Sequence, residues 1–325
     1  MHLWKIRHFP SIWQSRRIPH NRLIIGLLAL GSLAALGGGT VPFLTAAQTP
    51  PESNPAEGKI APPDPAAAAA GLDYLRKAHE ALVQHTSIQA NLVEQVAIGD
   101  RRFQIEGNYV GAGLKLRLEF KVQIAGGASG GLLEVCDGDV LWSRLDLPDS
   151  RRVTRRDVRQ ILKAVTTSKS VPDSVLLAEL GLGGLPALLS SLERTMTFTQ
   201  LREETVNDRP LVVLRGVWRP EFSARWPRDG KGQLPTYAPD EVRVYFDRET
   251  QFPARLLYLK QAADGKGLGP LVSLEFRDVV LGGPVKEQQF LFVPPDDVAP
   301  QDITRQYLDQ IQQANTPAAA KPPGK

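Results

Sequence analysis

Apolar side chains alternate with polar ones over much of the chain, which is the pattern of half-buried strands. From Gly113 to Ile124 every second residue is apolar and most of the residues between them are charged or amide, so the predicted strand has one dry and one wet face. The segments 88–98 and 101–110 show the same period. LLEVCDGDVLW places two apolar arms around Asp137-Gly138, which is typical of a hairpin with a type I′ turn. The pattern predicts consecutive antiparallel strands.

Helical periodicity occurs near the start and in the middle of the chain. Apolar residues from Leu72 to Leu82 recur at helical spacing and predict an amphipathic helix from Gly71 to about His85. After the Arg-rich SRRVTRRDVR, the segments DVRQILKAV and PDSVLLAELGLGGLPALLSSLER predict two or three short helices. Their apolar, glycine-punctuated composition suits a movable cover over a sheet.

Strands resume at Met196 and continue to the segment QFLFV, and a polar helix from Ile303 to about Ala314 follows. The fold class predicted from this order is α+β and mainly antiparallel, with about nine to eleven strands. An N-terminal helix precedes the strands, and the central helices interrupt them.

Composition divides the chain into four parts. Residues 48–70 are rich in Pro and Ala and predict an extended linker that cannot bury a core. Residues 71–304 form the predicted folded domain, and residues 305–325 the end of the last helix and a disordered tail. Residues 1–47 hold a basic stretch, an apolar run and then small residues, as an export signal does. The alternative is an uncleaved anchor, because an apolar run of about 22 residues can span a bilayer.

The charge and the scarce Cys and His residues exclude several classes of function. The net charge of +4 comes from the leader, because the rest of the chain has 34 basic and 35 acidic residues; we therefore expect no nucleic-acid partner. One Cys excludes a framework of disulfides within the chain. Beyond the leader only His79 and His85 remain, so a zinc site or a Ser-His-Asp triad is hard to build. We expect no metal, no cofactor and no catalytic residue.

Three motifs follow the export signal, and their order along the chain is informative about the class of protein. Asp137-Gly138 is followed by Leu141-Trp142, the VYFDRETQFP hairpin runs from Val244 to Pro253, and the segment FLFVPPDD closes the domain. Over roughly residues 72–304 this order resembles the LolA-type periplasmic lipoprotein carriers and their relatives. The resemblance implies a half-open antiparallel barrel over an apolar cavity, with the central helices as a lid.

The same resemblance implies a non-enzymatic carrier in the periplasm that buries lipoprotein acyl chains or other lipids. Its partners would include inner- and outer-membrane transport components, and the N-terminal segment would tether it to the inner membrane if it stays uncleaved. The predicted cavity wall consists of apolar residues on alternating strand positions: Leu114, Leu116, Leu118, Phe120, Val122, Trp142, Val244, Phe246, Leu274 and Phe276. Burial of an acyl chain on such a wall contributes about 0.8 kcal/mol per methylene group.

Several alternatives remain open from the sequence. Four arginines, Arg151, Arg152, Arg155 and Arg156, could contact an anionic headgroup or membrane, or could pair with Asp146 and Asp157 at a solvated strand-to-helix corner. The aromatic residues of the segment 218–240 could dock a partner or pack over an end of the barrel.

The carriers that the chain resembles also have a basic residue after the aromatic of the second or third strand. The matching stretch here, residues 109–113, has none. The rival functions are a lipoprotein-sensing regulatory or protein-interaction module of the same fold, and a hydrolase with an all-carboxylate site.

Overall fold

The structure is a computed structural model that describes residues 64–98, 101–123, 129–167, 184–224, 226, 228, 232–262 and 267–315. The helices within these ranges are α1 (Pro65–Gln84), α2 (Val158–Thr166), α3 (Gly184–Thr195), the short α4 (Pro220–Ser223) and α5 (Thr304–Asn315). A 3₁₀ turn covers Glu287–Phe290. The strands are β1 (Ile88–Ile98), β2 (Arg101–Ala112), β3 (Lys115–Gln123), β4 (Ser129–Asp137), β5 (Val140–Leu147), β6 (Ser150–Asp157), β7 (Met196–Val206), β8 (Arg209–Trp218), β9 (Glu241–Asp247), β10 (Pro253–Gln261), β11 (Leu268–Leu281) and β12 (Gln301–Asp302).

The described strands form a single curled sheet in the order β12-β6-β5-β4-β3-β2-β1-β11-β10-β9-β8-β7. Every pair is antiparallel except the two-residue β12, which runs parallel to β6. The two ends of this order, β12 and β7, are not paired with each other, so the sheet does not close. The predicted fold class, a mainly antiparallel half-open barrel with an N-terminal helix and central helices, is confirmed.

One face of the sheet, which we call the inner face, carries the main hydrophobic core. Side chains opposite each other across a strand pair share a face, and Leu92 with Phe276 and Val244 with Leu256 are such inner-face pairs. The backbones of β2 and β3 approach closely at Gly107. A Cβ there would lie 2.1 Å from the Glu119 carbonyl oxygen and 2.5 Å from the Phe120 ring, so a larger residue does not fit.

Helix α1 begins earlier than the sequence predicts. The residues 65–70 that we assigned to the linker form its first turns. The Asp64 side chain caps the helix by accepting a hydrogen bond from the Ala66 amide, and Pro65 takes the position where no amide donor is needed. Because Ala has the highest helix propensity, the run of alanines extends the helix instead of ending it. Residues 48–63 lie outside the described residues.

The helices pack at two places on the inner face. Helix α1 packs against β7 and α3 near one end of the sheet order, and Leu75 and Leu82 of α1 join the core there. Helices α2 and α5 pack on each other over β5 and β6 near the other end. The predicted helix DVRQILKAV is therefore confirmed, and of the second helical segment the part from Gly184 onward is helical; residues 168–183 lie outside the described residues.

The Arg-rich segment is strand β6, whose residues alternate between the two faces, and it passes directly into α2 after Asp157. Two other local predictions are wrong. The segment QFLFV is not a strand: it leaves the sheet through the 3₁₀ turn, and Phe290 is buried against the domain. The hairpin at Asp137-Gly138 exists without a type I′ turn, since only Gly138 has a positive φ there. Asp137 instead accepts hydrogen bonds from the amides of Asp139 and Val140.

Candidate ligand-binding face

The inner face brings together most of the side chains predicted to line a cavity. Leu116 is partly buried and packs against this core. The fully buried members are Leu118, Phe120, Val244, Phe246, Leu274 and Phe276. They come from β3, β9 and β11, so the apolar surface runs across the middle strands of the sheet.

Two of the predicted wall residues are placed differently, and the side chain of a third is not described. Leu114 is not in a strand: Gly113, with φ of 60°, and Leu114 form the turn before β3, and Leu114 is 53% exposed. Trp142 lies on the outer face, because its neighbour Leu141 is the residue that points to the core. The Trp142 ring lies 5.5 Å from the ring of Phe292, in the chain segment that crosses the outer face. The side chain of Val122 is outside the described part of the structure.

Aromatic contacts hold the inner face together. The ring of Phe276 lies edge-on to Tyr109, at 6.4 Å, and to Phe252, at 5.5 Å. Phe246 makes a similar contact with Tyr74 of α1, at 5.3 Å. Such edge-to-face pairs contribute about 0.5–1.5 kcal/mol beyond their buried area. The wall is therefore a packed surface with α1 seated on one end of it.

Tyr109 also contacts helix α3. Its hydroxyl shares a hydrogen bond with the backbone of Leu185, although burial dominates and raises its pKa to about 12. A Cβ on Gly184 would lie 3.1 Å from this hydroxyl, and Gly184 has a positive φ of 57°. The residues 109–113, which lack the basic residue of the carriers, thus meet a central helix through the tyrosine itself.

One charged residue of the inner face was missed by the sequence analysis. Glu94 is 2% exposed and lies between Ile105 of β2 and Leu274 of β11, both buried. No hydrogen-bond partner for its Oε2 lies among the described residues. Burial raises the pKa of this carboxyl to about 7. The sequence pattern does place Glu94 on this face. In β1 the apolar residues occupy positions 88, 90, 92, 96 and 98, and the glutamate occupies position 94 of the same alternation.

The four arginines predicted to contact a headgroup differ in their exposure and in their partners. Arg151 is exposed and pairs with Asp146, at 2.7 Å, and with Asp297, at 3.3 Å. Arg155 pairs with Asp302 and lies over the Trp142 ring on the outer face. Arg152 is exposed and also has a bonding partner. The predicted pairing with Asp146 is present, and the role of these arginines toward a headgroup remains a prediction.

Arg156 is buried within a polar network on the inner face. Its guanidinium lies 2.9 Å from the Glu134 carboxylate, donates to the Tyr307 hydroxyl at 2.7 Å, and also donates to the Ser143 hydroxyl. Although burial opposes its charge, the neighbouring Tyr307 and Glu134 raise the pKa of Arg156. Because Tyr307 belongs to α5, the network ties the C-terminal helix to the sheet.

The aromatic residues of the segment 218–240 pack inward. Trp218 and Trp226 are buried and meet edge-on at 4.8 Å, and the Trp218 indole N–H donates to the Pro239 carbonyl at 2.8 Å. Tyr237 is partly buried against the same core, and Phe222 is half-buried. Of the two readings of this segment, packing over an end of the barrel describes these contacts.

An open groove of about 350 Å³ lies between the N-terminal half of α1, the edge strand β7 and α4. Its floor includes Leu72, Met196 and Phe198, and Arg219 and Glu221 stand at its side. Within the described ranges, no cluster of three or more His, Cys, Asp or Glu residues is arranged to hold a metal ion. No helix in the same ranges is long and apolar enough to cross a bilayer.

Comparisons with known proteins give structural likeness alone. No family model and no curated protein matches the chain. Among solved structures it is similar to LprF from Mycobacterium bovis, with 10% identity, a TM-score of 0.37, and coverage of 69% of this chain and 96% of that one. The lipoprotein LppX from Mycobacterium tuberculosis gives 12% identity, a TM-score of 0.34, and coverage of 67% and 98%.

A third similar structure is a domain from Vibrio parahaemolyticus assigned as an outer membrane lipoprotein-sorting protein. It gives 13% identity, a TM-score of 0.29, and coverage of 69% of this chain and 97% of that one. The lipoprotein-sorting class named from the sequence motifs is thus among the structures that this chain resembles.

Proposed function

We propose that this protein is a non-enzymatic, exported binding or carrier protein that buries the acyl chains of lipids or lipoproteins against the inner face of its sheet. The observation that carries the proposal is the apolar surface that runs from β3 across β2, β1, β11 and β10 to β9, in a sheet whose ends do not pair. Acyl chains bind by burial alone, at about 0.8 kcal/mol per methylene group. No catalytic group is required for that task.

The unpaired edges of the sheet would give a ligand access to the inner face. In a closed barrel every backbone group of the wall is bonded to a neighbour, whereas here β7 is hydrogen-bonded on one side only. Helix α1 lies along this edge, and the groove beside it is lined by apolar side chains of both elements. A displacement of α1 from β7 would open the inner face without breaking any strand pair.

We further propose that the protein works in the periplasm with inner- and outer-membrane transport components, and that it uses no cofactor. The support is the basic, apolar and small-residue order of positions 1–47, which is that of an export signal.

The proposal is tested by native mass spectrometry of the full chain, purified gently from a bacterial periplasm, followed by solvent extraction. We expect an acyl lipid or a lipid-modified peptide at close to one per protein. A clean apo mass, together with no uptake of the uncharged fluorescent hydrocarbon diphenylhexatriene, would contradict the proposal and favour the protein-interaction module.

A matched pair of variants tests whether the lipid binds on the inner face of the sheet. Leu274→Trp fills the inner face, and Glu275→Trp adds the same ring one residue along on the outer face of β11. We expect co-purified lipid to fall several-fold in the first variant and to stay unchanged in the second, with circular dichroism confirming that both fold. Equal lipid in both variants would place the acyl chain elsewhere.

A further inference from the structure

Glu94 interrupts the apolar inner face near its centre. Strand β1 is the seventh of twelve strands in the sheet order, and Glu94 is flanked along it by the buried Leu92 and Val96. Across the neighbouring strands it faces Ile105 and Leu274. A carboxylate in such surroundings is costly unless it has a partner. Within the described residues its Oε2 has none.

The helices within the described ranges pack on other parts of the inner face. Helices α1 and α3 pack at β7, and α2 and α5 pack at β5 and β6. The first turn of α3 reaches Tyr109, which lies opposite Ala90 on β1. Glu94 lies four residues farther along the strand, roughly 13 Å away at the rise of an antiparallel strand.

A lone buried acceptor selects the chemistry of what binds beside it. A head group with an N–H or O–H donor would satisfy the free oxygen, and a cationic donor would gain the most because it also balances the charge. A free fatty carboxylate would place two like charges together. The residues next to Glu94 along β1 and directly opposite it on β2 and β11 are aliphatic, and the nearby Tyr258 phenol is fully buried, so the remainder of such a ligand would be a hydrocarbon chain.

We propose that Glu94 is the polar end of a binding site on the inner face, which takes a long-chain amphiphile whose head donates a hydrogen bond, an ammonium above all, and which rejects free fatty carboxylates. This proposal deepens the proposed function and rests on it. The raised pKa of Glu94, about 7, agrees with a carboxyl that lacks such a partner, and a bound cation would lower that pKa.

The experiment measures displacement of the fluorescent hydrocarbon diphenylhexatriene from the full chain at pH 8.5, where the Glu94 carboxyl is charged. Three competitors share a twelve-carbon chain and differ in the head: dodecylammonium, dodecanol and dodecanoate. We expect dodecylammonium to bind about tenfold or more tightly than dodecanoate, with dodecanol between them. Glu94→Gln should abolish this preference and leave the affinity for dodecanol within about threefold.

Glu106→Gln is the matched control, since Glu106 is exposed on the outer face of β2, one residue from Ile105. It should rank the competitors as the wild type does. Glu94→Leu gives a second test that keeps the core apolar, and it should bind dodecanol while losing the preference for the ammonium.

The outcomes separate the two proposals. If all three competitors bind equally, or if Glu94→Gln keeps the wild-type ranking, the assignment of Glu94 is wrong while the proposed function stands. If the protein takes up neither the probe nor any competitor, both proposals fail.

Discussion

At the scale of single residues, three buried carboxylates show three different environments. Glu241 is completely buried and lies between two arginines, Arg215 at 2.6 Å and Arg243 at 2.7 Å. Glu134 is paired with Arg156. Glu94 lies between the aliphatic Ile105 and Leu274 of the neighbouring strands, with no charged partner among the described residues. The first two carboxylates have the charged partners that buried ions require, and the third has none among the described residues, which is the ground for the ligand proposed above.

The pH dependence of stability follows from Glu94. Its pKa is about 7 in the folded protein and about 4.5 in the unfolded chain, so the folded state keeps a proton that the unfolded state has released. Stability should therefore be highest below about pH 4.5 as far as this group is concerned. It should fall as the pH rises through 7, by roughly 3 kcal/mol in total.

Urea unfolding of the wild type and of Glu94→Gln between pH 5 and pH 8.5 measures this effect. The variant should lack the decline, and Glu106→Gln should retain it. Tyr258 is the other titratable group whose charge is coupled to Glu94, and burial raises its pKa above the range of the experiment. Parallel curves for the wild type and Glu94→Gln would show that Glu94 is not the group responsible.

Truncation of two arginines of β6 should lower the stability of the domain by very different amounts. Arg156→Ala leaves the largely buried Glu134 carboxylate with the Ser143 hydroxyl but without its charged partner, and such losses cost about 3–5 kcal/mol. Arg151→Ala removes exposed ion pairs, which contribute about 0–1 kcal/mol. Chemical denaturation of the two variants checks the difference, and hydrogen exchange should show α5 losing protection in Arg156→Ala alone. Equal destabilisation by both substitutions would contradict the account of the network.

At the scale of elements, the central helices are held in place by contacts between their own side chains and those of the sheet. Helix α3 carries Leu185, Leu188, Leu189 and Leu192 into the main core. Its first turn is bound by Tyr109 of β2. Helix α2 begins at Asp157, whose side chain accepts a hydrogen bond from the Gln160 amide at the point where β6 ends.

Tyr109→Phe tests the bond to α3. Loss of one buried hydrogen bond should destabilise the domain by about 1 kcal/mol, because the backbone of Leu185 loses its partner. Amide hydrogen exchange should become faster in the first turn of α3. Tyr74→Phe is a suitable control, since the Tyr74 hydroxyl is buried with no partner in the described structure, and its removal should leave stability unchanged or higher. Faster exchange of α3 in both variants would argue against a specific role for Tyr109.

At the scale of the whole molecule, one sheet forms both the core and the proposed binding surface. The same apolar side chains that stabilise the fold against α1 and α3 would hold an acyl chain. Ligand and helices therefore compete for one face, and a ligand that displaces side chains of α1 replaces apolar contacts with apolar contacts.

A bound amphiphile should raise the melting temperature of the protein. A ligand at a hundred times its dissociation constant stabilises the folded state by about 2.7 kcal/mol. Delipidated full chain should therefore melt several degrees higher with dodecanol present, as calorimetry or near-ultraviolet circular dichroism would record. Leu274→Trp should show a much smaller shift, and a shift of equal size in that variant would place the ligand off the inner face.

The sequence by itself determined most strands, the antiparallel order and the apolar face. Alternation with a period of two reflects local backbone geometry, so it is visible without knowledge of the fold. It predicted Leu118, Phe120, Val244 and Leu274 as residues of one surface, and the structure brings them together on the inner face. The helix from Thr304 to Asn315 was likewise visible in the periodicity of its own residues.

Only the tertiary structure decided which face each strand turns inward. Leu141 and Trp142 are both apolar, and adjacent residues of a strand point to opposite faces, so the sequence does not show which of them points inward. The pairing of Leu141 with Cys136 places Leu141 inside and Trp142 outside. The isolation of Glu94 is likewise a property of its neighbours on β2 and β11, which are distant in sequence from each other. Contacts between such segments form when the chain folds, so the character of a buried group is set by the assembled sheet and not by the residue alone.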